Sequence, residues 1–427
     1  MNAWLKVRLS AMVAVILAMF AVPTLHADDD DDVVPEQVIV KLRPGVNPFE
    51  FAARYQQWYP DPQQPIIDSI ASRRLYLFRV HEGDEEEFVD EIVRDPGVEK
   101  AEPAYTGRDV APDPGTQSIF LASTRDRYLL QPATTRINAD AARKFATGRG
   151  VLVAIIDSGI DPSHPALAGR IAAGGWNFID NNSDIRDIGD GLDNDDDGFI
   201  DEMVGHGTLV SGLVLRVAPD AMILPLRVLD SDGYTTTWRM IDALYTAIDR
   251  GARVINMSLG TTEPTFVVED AVLEAALRSR VIVASAGNED TSSPVRYPAG
   301  HSDRGVIAVA ATDNQDVRAE FSNFGEHIVL CAPGYRVTST IPGGGYGRAD
   351  GTSLSAPLVT GAAALMIERN WTLLAPAVRS YLTIGCDPID HRNPGYKGLL
   401  GAGRLDVLDS LSQIAPGPLI QINHLAR

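Results

Sequence analysis

Val151-Leu-Val-Ala-Ile-Ile-Asp157-Ser-Gly-Ile-Asp161 is the stretch on which the fold turns. Six apolar residues without alternation describe a strand buried on both faces, as in a parallel sheet. A carboxylate follows at once, so Asp157 falls at the strand's carboxyl end. Four more runs have the same character: Ile223–Val228, Val254–Met257, Val281–Ala284 and Val306–Ala310. Between them lie amphipathic stretches, 238–250 and 266–278, with helical spacing. The expectation from about Asn138 to Leu408 is an α/β fold, a parallel sheet with helices on both faces. Sites in such sheets form at the carboxyl ends of the strands.

Three further segments stand out, two at helix starts and one at a strand end. Gly205-His206-Gly207-Thr208 precedes an apolar helical run, and Gly351-Thr352-Ser353-Leu354-Ser355-Ala356-Pro357 opens a longer one. Ala284-Ser285-Ala286-Gly287-Asn288 ends a strand. A serine hydroxyl is a poor nucleophile until an imidazole takes its proton. A carboxylate must hold that imidazole in one tautomer and stabilise its charged form. Ser353 at a helix start can also point its own N–H at a developing oxyanion, and Asn288 can add a side-chain amide. Each segment alone has an ordinary reading as a cap or turn. Together, in the order Asp, His, Ser on one α/β pattern, they resemble the subtilisin family of serine peptidases.

That resemblance implies a secreted serine endopeptidase working through an acyl-enzyme, with Asp157, His206 and Ser353 as triad and Asn288 as oxyanion donor. It also implies that Ser258, Leu259 and Gly260 form an edge pairing with extended polypeptide substrate. The P1 pocket is then expected between these residues and Ala284, Ser285, Ala286 and Gly287, with Glu289 at its edge able to shift a preference for apolar side chains. His164, in Asp161-Pro-Ser-His-Pro165, is expected to be structural. Many family members carry histidines where Leu209 and Leu358 stand, which bears on packing and not on the triad. A dedicated maturation peptidase, an exopeptidase, or a non-catalytic calcium-binding scaffold would share much of this sequence.

The chain begins with Lys6 and Arg8, an apolar run from Leu9 to Val22, and a small-residue site ending at Ala27. This reads as a signal peptide over 1–27, the run being shorter than the roughly 20 residues that span a bilayer. The expected localisation is extracellular or periplasmic, with no membrane association after signal removal. Segment 33–105 has the order β-α-β-β-α-β, a ferredoxin-like arrangement. In the family such a domain is a propeptide, acting as intramolecular inhibitor in an autoprocessed zymogen. Residues 106–131, without periodicity, are expected to be a processing linker, 132–415 the peptidase domain and 416–427 a short tail.

Net charge is −20, which argues against nucleic acid or an anionic membrane as the main partner, and a monomer is expected. The two cysteines, Cys331 and Cys386, make either one bridge or two buried thiols. Asp193-Asn-Asp195-Asp-Asp197-Gly198-Phe199-Ile200-Asp201 matches the opening of an EF-hand-type calcium loop, with Asp193, Asp195, Asp197, the Phe199 carbonyl and Asp201 as candidate ligands. Val204 stands where that loop normally has glutamate, so Asp201 or Glu202 would have to substitute. The other reading is a solvated acidic insertion.

Overall fold

The computed structural model describes residues 32–109, 121–194 and 198–417. The expected signal peptide, residues 418–427 of the tail, and Asp195 and Asp197 lie outside them.

Alternating apolar residues in the N-terminal strands explain how a small lobe is built and attached. β1 (Val33–Leu42), β2 (Ile66–Ile70), β3 (Leu75–Arg79) and β4 (Val98–Asp109) pair in the order β4-β1-β3-β2. α1 (Pro48–Ala52) and α2 (Glu85–Ile92) complete the β-α-β-β-α-β order expected. Because side chains alternate across a strand, Val38, Val40 and Leu42 enter the lobe's own core with Phe51, Phe78 and Phe88. Ile39 points the other way and, with Ile70, Leu75 and Leu77, joins the core of the larger lobe. The sheet is therefore buried on both faces.

β4 runs farther than its apolar start suggests. Its second half, within the stretch expected as a linker, leaves the small sheet and pairs antiparallel with two edges of the larger lobe, β9 (Tyr234–Thr236) and β11 (Leu259–Gly260). The same stretch holds β5 (Leu121–Ala122) and a short helix, Arg125–Leu129, capped by the Thr124 hydroxyl. Backbone pairing with distant partners orders these residues, which is why periodicity does not mark them.

The larger lobe is a seven-stranded parallel sheet. It contains β6 (Leu152–Asp157), β7 (Trp176–Asn177), β8 (Met222–Arg227), β10 (Val254–Met257), β12 (Val281–Ser285), β13 (Ile307–Thr312) and β14 (Leu330–Pro333). Their order is β14-β13-β12-β10-β6-β8-β7. The short strands β7 and β14 at the two edges were not among the runs read from sequence. After β6 the chain builds β8 on one side, then crosses to β10 on the other. The carboxyl end of β6 is therefore a switch point, where a crevice opens. A β-hairpin, β15 (Val337–Ile341) and β16 (Gly345–Ala349), takes β5 as its third strand.

Four helices position the site: α3 (His206–Val217), α4 (Thr237–Asp249), α5 (Phe266–Leu277) and α6 (Thr352–Arg369). α6 lies across β10, β12, β13 and β14 and packs along α3. Contact between α3 and α6 is unusually close. A β-carbon on Gly361 would sit 2.6 Å from the Val217 Cβ and 3.0 Å from the Val214 carbonyl oxygen. Gly361 stands eight residues past Ser353, and Val214 eight past His206. α3 starts beside the exit of β6 and α6 beside the exits of β10 and β12, so the helices run side by side with His206 and Ser353 at the same end. Among the described residues no helix is long and apolar enough to cross a membrane.

Gly361→Ala should push α3 and α6 apart at a cost of about 1–3 kcal/mol. A lower guanidinium midpoint in this variant than in the parent chain would show this.

Candidate active site

Asp157 closes β6 at 1% exposure, and His206 opens α3 at 2%. The His206 Nδ1 lies 2.8 Å from the Asp157 Oδ1, which also accepts the Ser158 N–H at 2.8 Å. Since a carboxylate oxygen accepts, Nδ1 carries the proton and Nε2 is left with its lone pair, the tautomer of a general base. Burial keeps water from screening the pair, and removing His206 would strand the Asp157 charge in the interior.

Ser353 is the second residue of α6 and is 5% exposed. Its carbonyl accepts from the Ser258 hydroxyl at 3.0 Å. Ser258 in turn accepts from the Asn256 amide, whose oxygen receives the Thr360 hydroxyl. This chain of bonds ties the exit of β10 to the start of α6.

Asn288 follows β12. Its Oδ1 accepts both the N–H of Thr352 at 2.8 Å and the Thr352 hydroxyl at 2.9 Å. Those two donors identify the oxygen and therefore the direction of the amide nitrogen. The space beside Gly351 shows where that nitrogen points. A β-carbon there would lie 2.9 Å from the Ser353 Oγ, 3.6 Å from the Asn288 Nδ2 and 3.7 Å from the Ser353 nitrogen. One point in space is thus bordered by a hydroxyl and two N–H donors, the arrangement that stabilises negative charge developing on a carbonyl oxygen under attack.

β10 and β12 are adjacent and parallel, with Met257 opposite Ala284. Ser258, Leu259 and Gly260 therefore leave the sheet beside Ser285, Ala286 and Gly287, and all of these residues, like Ala284, are buried. Leu259 and Gly260 pair with the chain's own Asp109 and Arg108, so the expected substrate edge carries an antiparallel strand of the small lobe. Glu289 is neutralised: its carboxylate bonds the buried Arg296 guanidinium at 2.6 Å and the Asn323 amide at 2.6 Å. It presents no bare charge to an adjacent pocket.

His164 is structural, as expected. Its Nδ1 accepts the Ala166 N–H, so Nε2 donates to the Gly345 carbonyl at 2.8 Å. Leu209 and Leu358 are packed in the core. Both cysteines are thiols, each donating to a carbonyl, Cys331 to Leu400 and Cys386 to Leu382. Burial pushes both thiols well above the ordinary range.

The acidic loop behaves differently from its spacing. Asp193 accepts the Gly198 N–H at 2.9 Å, as a turn residue would. Asp201 turns its carboxylate away onto the N–H groups of Asp190 and Gly191. Among the described residues no three acidic, histidine or cysteine side chains gather around one point. Two polar residues with prominent places here carried no functional reading in the sequence: Thr352, which orients Asn288, and Asp187, buried beside Ser158. Thr352 lay in a quoted motif, but nothing marks Asp187 among its acidic neighbours.

Residues 148–385 match the subtilase family. Thermitase from Thermoactinomyces vulgaris is 38% identical over 234 residues, 55% of this chain and 81% of thermitase. A thermophilic serine proteinase of Bacillus sp. strain AK1 is 33% identical over 351 residues, 79% of each chain. Among solved structures, fervidolysin from Fervidobacterium pennivorans superposes with a TM-score of 0.71 at 20% identity. That superposition covers 92% of this chain and 62% of fervidolysin, and it bears on the fold.

Gly351→Ala would place a methyl group in the space shared by Ser353 and Asn288. Labelling of Ser353 by a fluorophosphonate, read as intact mass, is expected to disappear in this variant.

Proposed function

The chain belongs to the subtilase family of serine endopeptidases, and on that premise we propose that Asp157, His206 and Ser353 are its catalytic triad. The observation that carries this reading is the buried 2.8 Å pair of His206 and Asp157 at the switch point of the sheet. His206 Nε2 takes the Ser353 proton as Oγ attacks the scissile carbonyl carbon. The tetrahedral oxyanion is held by the Asn288 amide and the Ser353 N–H. His206 then protonates the leaving amine, and water repeats the sequence to free the acyl group. Asp157 fixes the imidazole and offsets its positive charge.

The small lobe is proposed to be the intramolecular inhibitor of an autoprocessed zymogen exported by its first 27 residues. Its support is β4, which occupies the edge of Leu259 and Gly260 as a peptide substrate would, and several contacts with α4 and α5. Arg73 pairs with Asp249 and Glu274, and Lys41 and Lys100 with Asp270. Trp238 donates to Asp68. Glu102 caps α5 by accepting the N–H groups of Phe266 and Val267 at 2.9 and 3.3 Å. The strand stays on its edge to Asp109, so the processing bond is assigned beyond that residue and before Leu130. The P1 pocket between Ser258–Gly260 and Ala284–Gly287 is proposed to favour apolar side chains, since Arg296 neutralises Glu289.

Of the candidate calcium ligands, Asp195 and Asp197 lie outside the described residues, and the Asp201 carboxylate accepts the main-chain N–H groups of Asp190 and Gly191. No step of the reaction is routed through a cation.

Three measurements test the reading. Fluorophosphonate should label the processed protein and not Ser353→Ala, which should remain a full-length precursor; an unlabelled processed wild type would overturn the assignment. Asn288→Ala should lower kcat about 10²–10³-fold with KM little changed, a magnitude established on subtilisin, a relative of this chain, and borrowed from it. The third concerns pH. Burial raises Glu102 to about 7, and burial with Asp68 nearby raises Asp242 to about 6. A raised carboxylate favours the docked state while protonated, and that advantage fades as pH climbs from the ordinary carboxylate range toward 7. After processing, the small lobe should therefore co-elute with the enzyme at pH 5 more than at pH 8, and Glu102→Gln should flatten the dependence.

A further inference from the structure

We propose that Asp187 is a positioning residue for the triad, holding Asp157 and His206 in register through Ser158 and Gly205. The inference rests on the triad assignment above.

Asp187 lies in the long connection between β7 and α3 and is 6% exposed. Its Oδ2 accepts two hydrogen bonds, from the Ser158 hydroxyl at 2.8 Å and the Gly205 N–H at 2.8 Å. Ser158 is the neighbour of Asp157, and Gly205 the neighbour of His206. The Ser158 N–H donates to Asp157 Oδ1, the oxygen that holds His206 Nδ1. The Ser158 hydroxyl oxygen also accepts the Gly207 N–H at 3.0 Å. The bonds close a ring: Asp187, Ser158, Asp157, His206, Gly205 and back to Asp187. Two main-chain bonds, Ile160 N–H to Ile185 and Asp187 N–H to Ile160, stitch the connection to the exit of β6.

This ring joins the two elements that carry the base and its partner. Without Asp187, the Ser158 hydroxyl can rotate and the Gly205 N–H loses its acceptor. Asp157 and His206 would keep their own bond but lose the brace between strand and helix. A misplacement of that kind affects the rate step more than substrate binding, because the substrate edge at Leu259–Gly260 is built elsewhere.

A neutral acceptor would satisfy the same donors, yet the chain places a carboxylate here. The charged groups facing it are Asp157 on β6 and Arg227 at the end of β8, and the Gly205 it bonds adjoins His206 on α3. Burial lifts Asp187 to about 7, with Asp157 adding to the rise. Near neutrality it gains negative charge close to the imidazole, and a nearby anion makes an imidazole more basic. Replacing it by a neutral amide should therefore shift the acid limb of the kcat/KM–pH profile to lower pH.

The test expresses the full-length chain carrying Asp187→Ala, Asp187→Asn or Ser158→Ala and assays its processed form, with fluorophosphonate titration to count competent sites and a peptide substrate to give kcat and KM. Asp187→Ala is expected to lose about 10- to 100-fold in kcat, the effect of deleting a charge-assisted hydrogen bond, at near-constant KM. Asp187→Asn, whose amide oxygen can still accept both bonds, should recover part of that loss while moving the acid limb. Wild-type kcat and an unmoved profile in Asp187→Ala overturn the proposal, as do equal losses in Ala and Asn variants with an unmoved profile. If Asp187→Ala fails to fold, the Asp187→Asn profile and the Ser158→Ala kcat decide by the same criteria. Failure of the wild type to label would instead sink the triad assignment.

Discussion

An imidazole and a carboxylate buried together at the end of one strand constrain most of this molecule. Placing both groups at 2% exposure or less is costly unless each is satisfied, and a lone buried carboxylate would cost several kcal/mol. The larger lobe answers that demand in layers. β6 sits between β8 and β10, so the strand that ends in Asp157 cannot shift without moving its neighbours. α3 delivers His206 from one side, and α6, seated against α3 through Gly361, delivers Ser353 at the same level. The Ser258 bond to the Ser353 carbonyl and the Thr352 bonds to Asn288 then lock the ends of β10 and β12 to the start of α6. Geometry that must be held to fractions of an ångström is carried by the sheet and two helices, with the loops braced onto them.

The parts legible in the sequence are those whose signal is local. Unbroken apolar runs identify buried parallel strands, and the structure has Asp157 and Asn288 after such strands and His206 and Ser353 at helix starts, the places read for them in the sequence. What stayed hidden depends on partners far along the chain. β4 reads as ending near Ala101 because Pro103 and Gly107 break its pattern, yet β9 and β11 hold it to Asp109. Asp187 looks like one more acidic loop residue until the fold brings Ser158 and Gly205 to it. Thr352 carries no mark that distinguishes orienting an amide from capping a helix.

The acidic loop illustrates the limit from the other side. Spacing of carboxylates records which residues are available, not where their oxygens point. Asp201 has a positive φ of 59°, and its carboxylate folds back onto Asp190 and Gly191. The cysteines are similar: proximity in composition says nothing about pairing, and each thiol has a local carbonyl instead.

β4 joins the small lobe's strands to β9 and β11 of the larger lobe in one sheet, and that has a consequence. One strand satisfies the open rims of β9 and β11 at once, so its departure uncovers two rows of unmet amide and carbonyl groups facing each other across a slot one polypeptide wide. Such a slot accepts any extended backbone, whatever its side chains, because the ladder it offers is made only of peptide groups. Should the small lobe leave as proposed, loose extended segments of other copies are the backbones best placed to enter that slot.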